Sequence, residues 1–130
     1  MERRVLVTGC SGFTGRYMIK NLQENGYEVF GLSSRTCETE HFYKVDLLDS
    51  GSIARCIQNC KPDYVIHLAG ISFVADNDGA KIYRSNLEGS YNLLKSLRDH
   101  APNVRGILLA SSANVYGNCG NKILTENFVY

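Results

Sequence analysis

The stretch Val5-Leu6-Val7-Thr8-Gly9-Cys10-Ser11-Gly12-Phe13-Thr14-Gly15 constrains this 130-residue chain more than any other. An apolar, β-branched run breaks at Thr8-Gly9, glycines recur at 9, 12 and 15, and a helical pattern follows. The pattern reads as a strand, a tight turn and a helix start. A helix N-terminus leaves backbone N–H groups without partners at the positive end of its dipole. Small residues there let an anion reach the main chain, so the stretch suits a pyrophosphate. Gly9 permits the turn, Gly12 admits phosphate oxygens, and Gly15 lets the helix lie close to the sheet. The plainer reading is a strand-to-helix turn with spare glycines. The strand before, the helix after and the further βα units beyond favour a dinucleotide cradle over Gly9, Ser11, Gly12, Phe13, Thr14 and Gly15.

Periodicity carries the alternation onward. Arg4 to Thr8 is the first predicted strand, and Phe13 to Asn25 the first helix, with Met18, Ile19 and Leu22 facing in. Gly26 suits a left-handed helix end. Strands follow at Glu28 to Ser33 and Phe42 to Val45. Asp49 or Ser50 caps a helix running to Cys60, with Ile53, Ile57 and Cys60 inside. Tyr64 to Leu68 is a continuous apolar run of the kind covered on both faces. After Gly79 a long helix is expected to end near Arg98, and Val104 to Ser111 is the fifth strand. The tail from Gly117 shows no clear period. Right-handed crossovers between these strands imply a doubly wound parallel α/β sheet of order 3-2-1-4-5. Its ligand should sit above the carboxyl ends of the strands, near the switch between strands 1 and 4.

Composition narrows the classes. Fourteen basic against thirteen acidic residues give no basic patch for nucleic acid and no attraction to anionic membranes. No apolar run approaches a membrane span, and Met1 to Arg4 leads straight into a strand, so neither membrane anchoring nor a signal peptide is expected. Five scattered cysteines without C-x-x-C read as free thiols in a reducing cytoplasm. Cys56 and Cys60 lie four apart on a helix with no His or second pair nearby, which favours packing over metal.

The strand ends carry the candidate chemistry. A carboxylate after strand 2 would bond the ribose 2′-hydroxyl of NAD. Here stand Ser33, Ser34 and Arg35, two hydroxyls and a guanidinium that suit a 2′-phosphate, with Arg16 able to add charge. NADP is therefore the expected cofactor, with NAD possible; the alternative is a solvated loop arginine. Asp46 closes strand 3 and can accept from an adenine amino group while the Leu47 N–H bonds a ring nitrogen. Asp49 is the better helix cap, which frees Asp46. Ile82, Asn86, Gly89, Leu93 and Leu97 form one stripe at about 100° per residue. Asn86 thus points among apolar residues and needs partners.

T-G-x-x-G-F-x-G, Asp46-Leu47, His67-Leu68-Ala69-Gly70, Asn86-x-x-Gly89 and Ser111-Ser112-x-x-Val115-Tyr116-Gly117 together resemble the extended short-chain dehydrogenase/reductase family, the NAD(P)-dependent epimerases, dehydratases and reductases of nucleotide sugars. The resemblance covers nearly the whole chain, which amounts to roughly the first two-fifths of such an enzyme. It implies an adenine contact for Asp46, and a cofactor lying against Leu68, Ala69 and Gly70. It also implies support beneath the nicotinamide from Asn86, against which stands a purely structural hydrogen bond. Ser112 would be the catalytic hydroxyl that bonds the sugar oxygen exchanging hydride. His67 reads as a packed strand residue. Ala113 and Asn114 stand where the sugar dehydratases carry an acidic pair, which leaves epimerases and reductases. His67 to Val74 looks most like the GDP-4-keto-6-deoxymannose reductases.

The family's proton donor is a Tyr four residues before a Lys, after the Ser. Tyr91 and Lys95 have the spacing but precede Ser112, and Tyr91 lies about 180° around the helix from Ile82. The expectation is an incomplete dinucleotide-binding domain over residues 1–130, inactive alone, from an enzyme that takes a nucleotide sugar and pairs as a homodimer. The alternative is a non-catalytic dinucleotide-binding or sensing module. A second apolar stripe, Leu87, Tyr91 and Leu94, is expected to mediate association.

Overall fold

The computed structural model describes residues 3–35, 39–71 and 78–128. Five strands, β1 (Arg4–Thr8), β2 (Glu28–Ser33), β3 (Phe42–Lys44), β4 (Tyr64–His67) and β5 (Gly106–Leu109), pair in parallel in the order β3-β2-β1-β4-β5. This is the predicted doubly wound sheet. Between the strands run α1 (Phe13–Glu24), α2 (Ser50–Cys60), α3 (Gly79–Tyr83), a π-turn (Arg84–Glu88) and α4 (Gly89–His100), and a 3-10 turn follows β5 at Ala113–Tyr116.

Local chemistry accounts for the boundaries. Asp49 caps α2, its carboxylate accepting from Gly51 N at 3.0 Å and Ser52 N at 3.1 Å. The bond from the Ser52 hydroxyl first, and then these backbone bonds, hold its pKa below the ordinary carboxylate value. α2 ends in a left-handed Lys61 (φ 44°), and α1 is followed by Gly26 at φ 78°.

Alternation along the strands divides the core. Leu6, Leu32 and Val65 face Ile53 and Ile57 of α2 and Leu93 and Leu97 of α4. Full burial of each such side chain stabilises by roughly 1.5–3 kcal/mol. Val5, Val7 and Val29 face the other way, toward Ile19 and Leu22 of α1. Cys56 and Cys60 are both buried in the first cluster. Hydrogen bonding to Cys60 and burial push the Cys56 thiol far up, so it packs as an inert group. Cys10 is also buried and Cys119 is partly exposed; Cys37 lies outside the described residues.

Three expectations need correction. β4 is not covered on both faces: α1 packs against β1 and β2, which leaves Tyr64 and Ile66 half-buried beside an open apolar groove. β5 is four residues long rather than eight, because an edge strand is held only by its single neighbour, whose ladder ends at His67 and Leu109. The long helix is three pieces, although the backbone stays right-handed helical through Arg84 and Gly89. The inward stripe survives this, with Gly89, Leu93 and Leu97 buried.

Leu93→Ala should destabilise the fold by about 2–5 kcal/mol, as a fully buried leucine deleted from a packed core. Leu87→Ala, on the exposed stripe, should stay within about 0.5 kcal/mol. Urea denaturation of both variants measures this, and similar midpoints would contradict the placement of the core.

Candidate dinucleotide cleft

A cleft of about 300 Å³ opens at the carboxyl ends of β1, β2, β3 and β4. Gly9 and Gly12 form its floor, Ser33, Ser34 and Arg35 one wall, and Leu68, Ala69 and Gly70 the facing wall. This is where an open parallel sheet offers a crevice.

Backbone contacts build the floor. Gly9 adopts φ 70°, and a Cβ there would lie 2.8 Å from Ala69 N and 2.9 Å from Leu68 C. The N–H groups of Gly9 and Cys10 both donate to Leu32 O, at 2.9 and 3.2 Å, tying the turn to β2. A Cβ at Gly15 would collide with Gly9 O and the Cys10 backbone, which sets how closely α1 approaches. Gly12 is the N-cap of α1, with no side-chain cap and no acidic residue in the first turn. Arg16 N, donating to Gly12 O at 3.1 Å, makes the first intrahelical bond. The N–H groups of Phe13, Thr14 and Gly15 precede it and stay available at the positive helix end. That donor set fits a pyrophosphate.

At the exit of β2, Ser33 is nearly buried. Its hydroxyl shares a 2.7 Å bond with Ser11 and accepts from Arg35 N at 3.0 Å. Ser33 therefore joins the glycine turn to the strand end, and Ser34 and Arg35 form the exposed rim. Arg16 donates from Nε to Ser11 O at 3.2 Å and so braces the same turn.

Asp46 and Leu47 also line the cleft. One Asp46 oxygen accepts from Leu48 N at 2.9 Å, an internal bond of the loop that leaves the carboxylate exposed. Leu47 is held from α4, where Asn92 donates to Leu47 O at 3.0 Å. A Cβ at Gly89 would lie 3.1 Å from Leu47 Cβ. The glycine at 89 thus serves the loop that carries Asp46.

His67 is buried between strand and helix. Nδ1 lies 2.6 Å from Thr8 Oγ1 and Nε2 lies 2.8 Å from Ser90 Oγ. Burial pushes its pKa down from the ordinary 6.5. It is a packed strand residue, as read from the sequence. Asn86 closes a pair of bonds on the strand-4 exit: Oδ1 accepts from Ile71 N at 2.7 Å and Nδ2 donates to Ile71 O at 3.0 Å. Its inward aim is as predicted, and the partner is loop backbone at the cleft's edge. Ser72 to Val74, part of the reductase-like segment, lie outside the described residues.

The cleft gathers Gly9, Ser11, Gly12, Ser33, Ser34, Arg35, Asp46, Leu47, Leu68, Ala69 and Gly70. It does not gather Ser112, which is exposed beyond β5 and caps the 3-10 turn, accepting from Asn114 N at 3.2 Å. Tyr91 is 62% exposed, facing away as expected. Sequence reasoning missed Ser90 and Asn92, which brace the cleft from α4. Their only signal was polarity on the inner side of a helix.

A sequence model of the NAD-dependent epimerase/dehydratase family matches residues 5–129. The GDP-6-deoxy-D-talose 4-dehydrogenase of Aggregatibacter actinomycetemcomitans is 37% identical over 125 residues, covering 95% of this chain and 40% of that protein. Human UDP-glucose 4-epimerase is 31% identical over 143 residues, covering 91% and 40%. The structure of the Thermus thermophilus UDP-glucose 4-epimerase in complex with NAD superposes with a TM-score of 0.84 at 29% identity, over 96% of this chain and 43% of that one. The chain thus spans about 40% of the length of these curated relatives. Among the described residues no helix is long and apolar enough to cross a membrane.

Gly26→Ala, with open space around the position, should cost only the left-handed backbone penalty of about 1–2 kcal/mol. Gly9→Ala should cost more, because its new methyl also meets the Leu68–Ala69 backbone. Chemical denaturation compares the two, and an equal or smaller loss at Gly9 would contradict the close approach.

Proposed function

The chain belongs to the NAD-dependent epimerase/dehydratase family, and on that premise we propose that it is the N-terminal, cofactor-binding part of a nucleotide-sugar reductase or epimerase. The observation that carries this is the uncapped N-terminus of α1, opening over Gly9 and Gly12 into a cleft walled by the ends of β2, β3 and β4. The pyrophosphate would rest on the N–H groups of Phe13, Thr14 and Gly15. Asp46 and the Leu47 N–H would take the adenine, and Leu68 to Gly70 would flank the nicotinamide half. A nicotinamide dinucleotide, when bound, supplies or accepts hydride. Ser112 would bond the sugar oxygen at the carbon that exchanges it. Both a 4-dehydrogenase and a 4-epimerase stand among the relatives, which supports chemistry at sugar C4. GDP-4-keto-6-deoxymannose reduction is the specific reaction proposed, in cytoplasm.

We assign NADP as the preferred dinucleotide. The support is chemical: at the exit of β2 the sequence places Ser34 and Arg35 where an acidic residue would favour the ribose 2′-hydroxyl of NAD, and both line the cleft. Calorimetric titration should find NADPH bound more tightly than NADH, and Arg35→Ala should remove about 1–3 kcal/mol of that difference. Equal affinities in the unmodified chain would overturn the assignment.

A second reading, a dinucleotide-binding module without turnover, is favoured by the exposure of Ser112 and Tyr91. The 130-residue chain alone should oxidise no NADPH with nucleotide 4-keto sugars under either reading. Ser112-dependent oxidation would contradict this and show that a proton donor, Tyr91 with Lys95 or another group, lies within the chain. The intact enzyme is proposed to pair as a homodimer through the stripe at Leu87 and Tyr91, which are 53% and 62% exposed. Light scattering across a concentration series should show self-association that Leu87→Glu weakens; a monomer unaffected by the substitution would contradict it.

A further inference from the structure

The bonds around His67 form a directed chain, and its direction can be assigned from donor counts. Ser90 Oγ donates its single proton to Asn86 O at 2.5 Å. It can then only accept at 2.8 Å from His67, so Nε2 carries the imidazole proton. Nδ1 is bare and accepts the Thr8 hydroxyl proton at 2.6 Å. Thr8 Oγ1 in turn accepts from Ala69 N at 3.2 Å. At the other end, the residue whose carbonyl receives Ser90 clamps Ile71 N and O through its own amide. The chain therefore starts on Ala69 and finishes on Ile71, and Ala69, Gly70 and Ile71 are cleft wall.

We propose that neutral, Nε2-protonated His67 is a positioning residue for dinucleotide binding, holding the Ala69–Ile71 wall through Thr8 on one side and through Ser90 and Asn86 on the other. This rests on the cofactor reading of the cleft.

A doubly protonated imidazole breaks the pattern. Nδ1–H would face Thr8 Oγ1, which already accepts from Ala69, and the Thr8 hydroxyl would lose its acceptor in a fully buried position. Among the described residues, the ring is bonded by Thr8 on β1 and Ser90 on α4, with Leu109 in register on β5 and Asn86 behind Ser90, and none of these four is charged. Burial alone lowers its pKa. The native state thus resists a proton that the unfolded chain accepts near 6.5, and the arrangement is intact above that pH and lost as pH falls through the lower native value.

Two measurements on the 130-residue chain test this. Imidazole nitrogen shifts and amide exchange, read by NMR without cofactor, should show the Nε2–H form at pH 7.5. Protection of the Ala69 and Ile71 amides should fall as His67 titrates. An Nδ1–H form, or unchanged protection on titration, would overturn the proposal. Calorimetry with NADH and NADPH, carried from pH 8 down through the pH at which the NMR titration shows His67 protonated, should show affinity weakening about tenfold, with a flattened profile in His67→Gln, whose amide keeps a donor toward Ser90 at every pH. The same profile in His67→Gln and in the unmodified chain would also overturn it. Ser90→Ala should weaken binding at pH 7.5 without changing β-sheet content; unchanged affinity would count against the relay. No binding of either dinucleotide at any pH would instead refute the cofactor reading, while the NMR result would still decide the relay.

Discussion

At Gly9 the turn after β1 lies so close to the backbone of Leu68 and Ala69 that no side chain fits between them. The same turn gives two N–H groups to Leu32 O. Three strand exits thereby meet at main chain, and the Thr8 and Ser11 hydroxyls add side-chain bonds to β4 and β2. Everything above the sheet follows from that contact. α1 starts where it does because Gly15 rides over Gly9 O, and the cleft has a floor because Gly9 and Gly12 carry no side chains. The left-handed φ at Gly9 excludes other residues at little cost to glycine itself.

The walls are held from two directions. Below, Leu6, Leu32 and Val65 anchor β1, β2 and β4 on α2 and α4. Above, polar side chains of the helical segment after residue 84 reach the loops and a strand end: Asn86 to Ile71, Asn92 to Leu47, and Ser90 to His67 at the end of β4. A helix with Leu93 and Leu97 in the core and amides at its cleft-side end joins stability to site geometry. Truncating the apolar residues should unfold the chain, whereas truncating the amides should loosen the cleft.

Much of this was legible in the sequence. β1 and β2 were readable because short apolar runs end at Thr8-Gly9 and at Ser33-Ser34, where small and polar turn residues take over. The inward aim of Asn86 followed from helical period. β5 was overextended because an apolar run says nothing of whether a neighbouring strand exists to pair with its outer edge. The division of the long helix was missed because a π-turn leaves the residue pattern nearly unchanged. The Thr8–His67–Ser90 relay was unreadable, since its members lie 59 and 23 residues apart and meet only through sheet order. Ser112 was readable as a motif position, yet in the structure it caps a turn outside the cleft.

In the proposed function the crevice over Gly9 and Gly12 receives a dinucleotide with its pyrophosphate on the start of α1. Backbone amide shifts of the 130-residue chain, followed by NMR during titration with NAD+ and NADP+, test it most directly. Saturable shifts should concentrate at Gly9 to Gly15, Ser33 to Arg35, Leu47 and Ala69 to Gly70. Shifts confined to the apolar groove around Tyr64, Ile66 and Leu108, or none at millimolar ligand, would contradict the account.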